Sequence, residues 1–249
     1  MAPICSPGDR SPAASHARGA APLGTVLAVH AGRVAPLPWT GGRTIATAIA
    51  KRAVEGAARV GTLGIDGDEQ GDRRNHGGPD QALCLFPSEH YDHFARLLGR
   101  PLERPAFGEN LTTAGLSEAA LCIGDRLRIG TVVAEVSMPR SPCYRVGARH
   151  GERRLPLWME QSGFTGCYLR VVEPGTLRAG DAIALLDRPH PQATIAEANR
   201  VKNRDRTDLP AIGALLLPQL GERWRRRFER RLAGELEDPT ARREGPPAG

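Results

Sequence analysis

The apolar residues of this chain fall in short runs, and that run length constrains the fold more than any other feature of the sequence. The runs are five or six residues long and are too short for helices. They span residues 25–30, 82–86, 131–136, 167–172 and 182–186. Gly-Asp pairs at 124–125 and 180–181 predict tight turns, because Gly adopts positive φ and Asp bonds back to the turn backbone. The pattern predicts a mainly β fold, either a meandering sheet or a barrel.

Helical spacing occurs in two other parts of the sequence. Ser88 can cap a helix that ends at Gly99, and residues 118–121 are compatible with a shorter one. After Pro189 the apolar residues recur every three or four positions, which predicts three helices over 194–232. The caps and the apolar stripe of these helices are Thr194 with Glu197, Asp208, and the series Leu220, Trp224, Phe228 and Leu232.

Four segments are therefore predicted. They are a disordered extension over residues 1–24, a β-barrel-like domain over 25–188, a three-helix domain over 190–233 and a disordered tail over 234–249. The extension is assigned from its richness in Ala, Pro, Ser, Gly and Arg and its lack of an apolar stretch.

Composition narrows the class of protein. The net charge is +6, but the densest basic run, 223–231, is best explained as a solvated helix face, so nucleic-acid binding is not expected. No apolar stretch approaches the length of a membrane span. Five cysteines at wide spacings form no CxxC pair, which argues against a zinc ribbon or a disulfide framework and favours a reducing compartment. We expect a cytoplasmic protein without a membrane partner.

Cys143 is the strongest candidate for chemistry. It follows a predicted strand in the segment Pro139–Cys143, whose two prolines leave the strand ladder and present the cysteine from a stiff loop. Arg140 and Arg145 would favour its thiolate, the form that binds metals and attacks electrophiles. A buried cysteine that merely packs is the competing interpretation. For Cys84, Cys122 and Cys167 packing is favoured, because each lies in or beside an apolar run.

Two further loops carry polar residues at strand boundaries. His76-Gly77-Gly78 leads into the strand at 82, and its glycines allow a ligand to approach the backbone closely. Glu109-Asn110 could bind a polar ligand or simply satisfy a turn. The acidic stretch 66–72 lacks the residues of a calcium-binding loop and is interpreted as a solvated loop. No nucleotide-binding or flavin-binding motif is present.

Taken together, these loops resemble the MOSC family, named for the C-terminal domain of molybdenum cofactor sulfurase. The resemblance rests on GIDGD at 64–68, NHGGPDQA at 75–82, FGENL at 107–111, IGDRLRIG at 123–130 and PRSPC at 139–143, in this order. The nearest branch is the YiiM-like 6-hydroxylaminopurine reductases, which also carry a C-terminal three-helix domain. Two positions depart from that branch: Ala53 replaces a frequent proline, and Gln81 a frequent lysine.

The resemblance implies a β-barrel that binds molybdenum cofactor (molybdopterin), with Cys143 as the ligand to molybdenum. It places Asn110 and His76 beside Cys143 as catalytic residues. It places Lys51, Arg140, Gly77, Gly78 and Glu109 near the cofactor. The implied reaction is reduction of the N–O bond of N-hydroxylated purine bases such as 6-hydroxylaminopurine.

Because no electron-carrying motif is present, we expect a separate flavin-type reductase as electron donor and a small N-hydroxylated molecule as substrate. Two alternatives stay open. The protein could carry molybdenum cofactor or sulfur without catalysis, or the helical region could be a docking module attached to an inert barrel.

Overall fold

The structure is a computed structural model that describes residues 22–72 and 75–245. The predicted N-terminal extension lies outside these residues up to position 21. The strands of the described part are β1 (Gly24–Ala31), β2 (Ala35–Pro38), β3 (Thr44–Thr47), β4 (Arg52–Ala53), β5 (Ala58–Gly61), β6 (Gly64–Ile65), β7 (Leu83–Pro87), β8 (Leu111–Ala114), β9 (Arg126–Ile129), β10 (Val132–Pro139), β11 (Cys167–Glu173), β12 (Gly175–Leu177) and β13 (Ala182–Asp187).

Seven of these strands close into a barrel. Hydrogen bonding runs in the order β13-β9-β10-β11-β7-β8-β1, and β1 pairs again with β13. Within the barrel, neighbouring strands are antiparallel apart from β7 and β8. The predicted fold class, a mainly β barrel-like domain with a helical appendage, is confirmed, and each of the five apolar runs forms a barrel strand.

Both predicted Gly-Asp turns form for the expected reason. Gly124 and Gly180 have φ of 89° and 90°. The Asp125 carboxylate accepts the backbone N–H of Cys122 at 2.9 Å, and Asp181 accepts that of Arg178 at 2.8 Å. Each turn thus directs the chain into or toward a barrel strand.

Helices lie on the outside of the barrel. They are α1 (Tyr91–Leu98), α2 (Tyr144–His150), α3 (Leu155–Ser162), α4 (Ile195–Asn203), α5 (Leu209–Ala214), α6 (Glu222–Leu232) and α7 (Thr240–Glu244). Two of the three predicted caps form, since Thr194 accepts the N–H of Glu197 at 3.0 Å and Asp208 accepts that of Ala211 at 3.2 Å. The Ser88 cap does not form, because Ser88 lies in a 3-10 turn and α1 begins later, at Tyr91. Across the described residues, none of the helices is both long and apolar enough to pass through a membrane.

The C-terminal helices share one hydrophobic core with the barrel. Ile195, Trp224 and Phe228 are at most 1% exposed and belong to the same apolar cluster as Val136 and Leu169 of the barrel wall. A backbone hydrogen bond joins the two parts as well, because the N–H of Ile195 donates to the carbonyl of Leu121 at 2.8 Å. Helices α4–α6 therefore complete the barrel core rather than standing apart from it.

A second core lies under α1, α2 and α3. Phe86 of β7 and Phe107 stack with ring centroids 4.3 Å apart, and Phe94, Val146 and Met159 pack around them. This core fixes the start of α2, and with it the loop that carries Cys143.

Three features of the structure differ from the predictions. Helices α2 and α3 had no clear apolar periodicity: in α2 the buried residues are Val146 and Gly147. Residues 118–121 form a hydrogen-bonded turn rather than a helix. Leu232 ends the predicted stripe of α6 but is 41% exposed.

The prediction of a disordered tail is wrong for residues 234–245. This segment contains α7, and its arginines Arg242 and Arg243 bind the buried carboxylate of Glu160 at 2.5 and 2.6 Å. The prediction failed because ion pairs, rather than a buried apolar side chain, hold this segment in place.

Candidate active site

Cys143 stands at the junction between the barrel and α2. Strand β10 ends at Pro139, and the N–H of Arg140 still donates to the carbonyl of Gly166 at 3.0 Å. The chain then runs extended to Cys143, which immediately precedes α2. Its side chain is buried, with 8% exposure for the residue.

His76 is the direct partner of Cys143. Its Nε2 lies 3.3 Å from Cys143 Sγ, although 67 positions separate the two residues. On the other side of the ring, Nδ1 lies 3.8 Å from the carboxylate of Asp72. Arg145 binds the same carboxylate at 3.3 Å. The four side chains form a line of alternating acid and base groups that ends at the sulfur.

These contacts control the protonation of Cys143. Burial by itself raises the pKa of the thiol, but the hydrogen bond and charge of His76, assisted by Arg145, lower it from 9.0 to about 6. The sequence pointed to Arg140 and Arg145 for this effect. The main lowering influence is instead His76, because the guanidinium of Arg140 is turned toward the carbonyl of Phe107. Near neutral pH the sulfur is therefore mainly thiolate.

A cleft opens from Cys143 toward the barrel, and we call it the barrel-side cleft. It has a volume of about 100 Å³. Beyond the Cys143–His76 pair it is lined by Lys51, Asp68, Cys84, Asn110 and Arg140. Lys51 binds the Asp68 carboxylate, which also accepts the amide of Asn110 at 2.9 Å. The Asn110 side chain is fixed further by the backbone N–H of Cys84 at 3.1 Å.

Arg140 leaves hydrogen-bonding capacity unused in this cleft. One terminal nitrogen, Nη2, donates to the carbonyl of Phe107 at 2.5 Å. The other, Nη1, is buried without a hydrogen-bond partner, and so is the hydroxyl of Ser141. Buried donors without partners are costly, and an anionic acceptor in the cleft would satisfy both.

A larger space lies on the other side of Cys143, and we call it the helix-side chamber. Its volume is about 380 Å³. It shares Cys143, His76 and Asp72 with the cleft, and its far wall comes from α6 and α7. That wall includes Arg223, Trp224, Arg227 and Arg242.

Most residues singled out from the sequence meet at this site. Cys143, His76, Asn110, Lys51 and Arg140 all line the barrel-side cleft.

The remaining candidates do not line the cleft. Gly77 and Gly78 line a groove outside it, between the His76 loop and α6. Glu109 is fully buried; its carboxylate accepts the Thr112 hydroxyl and the Phe107 N–H, both at 3.0 Å, and is bound by Tyr91. It therefore braces the loop that carries Asn110 rather than facing a ligand.

Sequence reasoning missed the acidic members of the site. Asp68 and Asp72 were assigned to a solvated loop, yet Asp68 is bound by Lys51 and Asn110, and Asp72 by Arg145. Their partners are distant in sequence, so no local pattern indicates them. The arginines of α6 and α7 were missed for the same reason.

Comparison with known proteins identifies the family to which the chain belongs. Residues 72–184 match the family model for the MOSC domain, and residues 194–235 match the model for the YiiM-like 3-alpha helix domain. The chain is 40% identical to YflK of Bacillus subtilis over 82% of its length and 92% of that protein. It is 37% identical to YiiM of Escherichia coli, over 79% of this chain and 89% of that one.

A solved structure supports the same assignment. The crystal structure of YiiM from Geobacillus stearothermophilus superimposes with a TM-score of 0.72 at 30% identity, covering 84% of this chain and 99% of that one. A protein named reductase from Gibberella moniliformis is 34% identical over 72% of this chain, but the match spans 32% of that longer protein. The chain belongs to the MOSC family, in its YiiM-like branch.

Proposed function

We propose that this protein is a molybdenum-cofactor-dependent reductase of N-hydroxylated compounds, with N-hydroxylated purines such as 6-hydroxylaminopurine as the substrate class. One observation carries the proposal: a thiol with a pKa of about 6 stands where a polar cleft meets a larger chamber. Membership of the MOSC family and the relative named reductase also support a reductase function.

The residues of the barrel-side cleft suit the cofactor chemically. A thiolate is a soft ligand and matches a thiophilic metal such as molybdenum, which makes Cys143 the ligand. Lys51 and the unpartnered Nη1 of Arg140 suit the cofactor's phosphate and pterin oxygens. When bound, the cofactor would supply two-electron chemistry at the metal, while the protein holds and orients it.

The reaction consumes two electrons and two protons for each N–OH group that becomes N–H and water. His76 is placed to hold one of these protons at Nε2, 3.3 Å from the sulfur. Asp72 lies 3.8 Å from Nδ1 and stabilises the positive charge of the ring when it carries that proton. Arg145 holds Asp72 in place at 3.3 Å.

The electrons must come from another molecule, because the sequence contains no motif for flavin or for an iron–sulfur cluster. We propose a separate flavin-type reductase as donor. The groove outside Gly77 and Gly78 borders the helix-side chamber, with which it shares Arg223 and Arg227, and we assign it as the docking face of this donor.

The test combines metal analysis with a chemical assay on the purified protein. We expect bound molybdenum and conversion of 6-hydroxylaminopurine to adenine by an artificial one-electron reductant. Bound molybdenum without turnover would support the alternative, a carrier of the cofactor. Protein that binds neither molybdenum nor isolated molybdenum cofactor would contradict both functions.

A further inference from the structure

The far wall of the helix-side chamber is unusually rich in arginine. Arg223 and Arg227 come from α6, and Arg242 comes from α7. Among the described residues that line the chamber, Asp72 is the only carboxylate, and it is already bound by Arg145. The chamber therefore presents more positive than negative charge to whatever enters it.

The ion pairs behind this wall neutralise that charge only in part. Two carboxylates, Glu160 and Glu237, serve six cations among the described residues. Glu160 lies within 3.7 Å of Lys202, Arg242 and Arg243, and Glu237 within 3.7 Å of Arg206, Arg227 and Arg231. Burial lowers the pKa of Lys202 well below its usual value, as does the nearby charge of Arg242. Even with a neutral Lys202, five arginines form ion pairs with these two acids, and Asp238 adds one further negative charge near Arg206 and Arg243.

Arg227 also has unused hydrogen-bond donors. Its Nε lies 3.1 Å from Glu237, but neither Nε nor Nη1 has a hydrogen-bond partner, and both atoms are buried. Burial, together with the charges of Arg242, Arg231 and Arg223, lowers its pKa to about 10. A buried guanidinium in a positive field is stabilised by an anion that accepts these N–H groups.

The rest of the chamber suits a flat, aromatic molecule. Tyr144 and Tyr168 line it beside Cys143, and Trp224 and Met138, each 1% exposed, lie behind this surface. Aromatic side chains and sulfur provide contact for a planar heterocycle without specifying its hydrogen bonds. Aromatic contact and positive charge in the same chamber together match a base that carries a phosphate.

We propose that the helix-side chamber binds the substrate as a nucleotide, with the N-hydroxylated base toward Cys143 and the phosphate at Arg227, assisted by Arg223 and Arg242. The inference rests on the proposed function for the N-hydroxyl group, but the phosphate site has its own test. The phosphate of the cofactor is the other group that these arginines could bind. The barrel-side cleft is smaller than the chamber, so part of the cofactor could extend into the chamber.

The test measures binding without turnover. Adenosine 5′-monophosphate, the product of such a reaction, is titrated into the purified protein by calorimetry alongside adenosine and adenine. We expect the monophosphate to bind at least about tenfold more tightly than adenosine at low salt, as a charge-assisted contact to buried arginine would give. Equal affinities for the two would overturn the inference.

Variants assign the site. Arg227→Gln should remove the preference for the monophosphate, whereas Arg230→Gln, the same change on an exposed position of α6, should keep it. If Arg227→Gln does not fold, as judged by circular dichroism, Arg223→Gln takes its place and should weaken the preference several-fold. Loss of molybdenum with unchanged monophosphate binding would assign the arginines to the cofactor and overturn the inference.

Activity then separates this inference from the proposed function. The N-hydroxylated nucleotide should have a kcat/KM about tenfold or more above that of the free base. A protein that prefers the monophosphate but reduces neither compound would retain the anion site and refute the reductase. A protein that reduces both equally well, and binds the monophosphate no better than adenosine, would retain the reductase and refute the anion site.

Discussion

The two sides of Cys143 differ in how their charges are balanced. In the barrel-side cleft Lys51 meets Asp68, and Asn110 bridges Asp68 to the barrel backbone. In the helix-side chamber arginines outnumber acids, and Arg227 keeps unpaired N–H groups. A locally balanced, rigid network suits a group that stays bound, whereas an unbalanced positive wall suits an anion that enters and leaves. Substitutions on the two sides of Cys143 test this contrast in charge balance.

Cys143→Ser should abolish N–O reduction and bound molybdenum while leaving the fold intact, because a hydroxyl is a harder and far less acidic ligand. Cys122→Ser and Cys167→Ser, which lie outside the cleft, serve as controls and should retain activity, although a hydroxyl at these buried positions lowers stability. Molybdenum content and reduction rate are measured for each variant. Wild-type turnover by Cys143→Ser would refute the metal role.

Glu160→Gln should be the most destabilising single change on the helix side. It leaves Lys202, Arg242 and Arg243 without their carboxylate, and breaking such a buried pair costs roughly 3–5 kcal/mol of unfolding free energy. Urea denaturation measures the loss.

Two comparisons sharpen the Glu160 result. Glu222→Gln removes an exposed pair with Arg226 and should cost less than about 1 kcal/mol. Burial raises the pKa of Glu160, but the surrounding cations hold it below 4.5. Its contribution is therefore present above about pH 4.5 and is lost as pH falls through the lower folded value, a dependence that Glu160→Gln should lack.

Lys51→Met should lower molybdenum content about tenfold, because one charge-assisted contact to the cofactor is lost. Monophosphate binding should not change, since Lys51 is absent from the chamber wall. Arg52→Met, an exposed neighbour, is the matched control. The opposite pattern, with intact metal content and weaker monophosphate binding, would reverse the assignment of the two sides.

His76→Gln should shift the titration of Cys143. In the wild type, alkylation by iodoacetamide should rise with pH through a midpoint of about 6, because the thiolate is the reactive form. Without His76 the midpoint moves up toward 9.0, and the rate at pH 7 falls at least about tenfold. Burial raises the pKa of Cys84 and Cys167, so these thiols contribute little. An unchanged midpoint would show that another group stabilises the thiolate.

Arg242→Ala and Arg243→Ala form a matched pair with the smallest expected effect. Both arginines bind Glu160, but Arg242 also donates to the carbonyl of Pro142, the residue before Cys143. The two variants should lose similar stability, whereas kcat should fall a few-fold further in Arg242→Ala, because the cysteine loop is less well held. Equal kcat values would reduce α7 to a purely structural element.

The barrel was predictable because its signals are local. Run length, turn residues and helix caps act within a few positions, and apart from the Ser88 cap and the short helix at 118–121 they formed as predicted. Cys143 was found because two prolines set it apart. Its pairing with His76 could be anticipated from the family resemblance but not from spacing, since the two lie in separate loops that meet only when the barrel closes.

The charged wall was not predictable, and the reason is physical. The basic run of α6 has the composition of a solvated face, but Arg231 is 2% exposed and bound by Glu237. Glu237 lies in the segment predicted as a disordered tail. When the partner of a buried charge is in a stretch without apolar residues, neither hydropathy nor helical period indicates the contact.

Closure of the barrel through β1 and β13 has a consequence for synthesis. Strand β1 can pair with β8 and β4 early, but the N-terminal part of its other edge, at Gly24 and Thr25, waits for Ala182 and Ile183 of β13. At about 5–20 residues per second this takes roughly 8–32 s on the ribosome. During that time one edge of β1 exposes backbone groups that another nascent chain can pair with. Slow or stalled translation before β13 therefore exposes this protein to aggregation, and chaperones that shield strand edges would act in that interval.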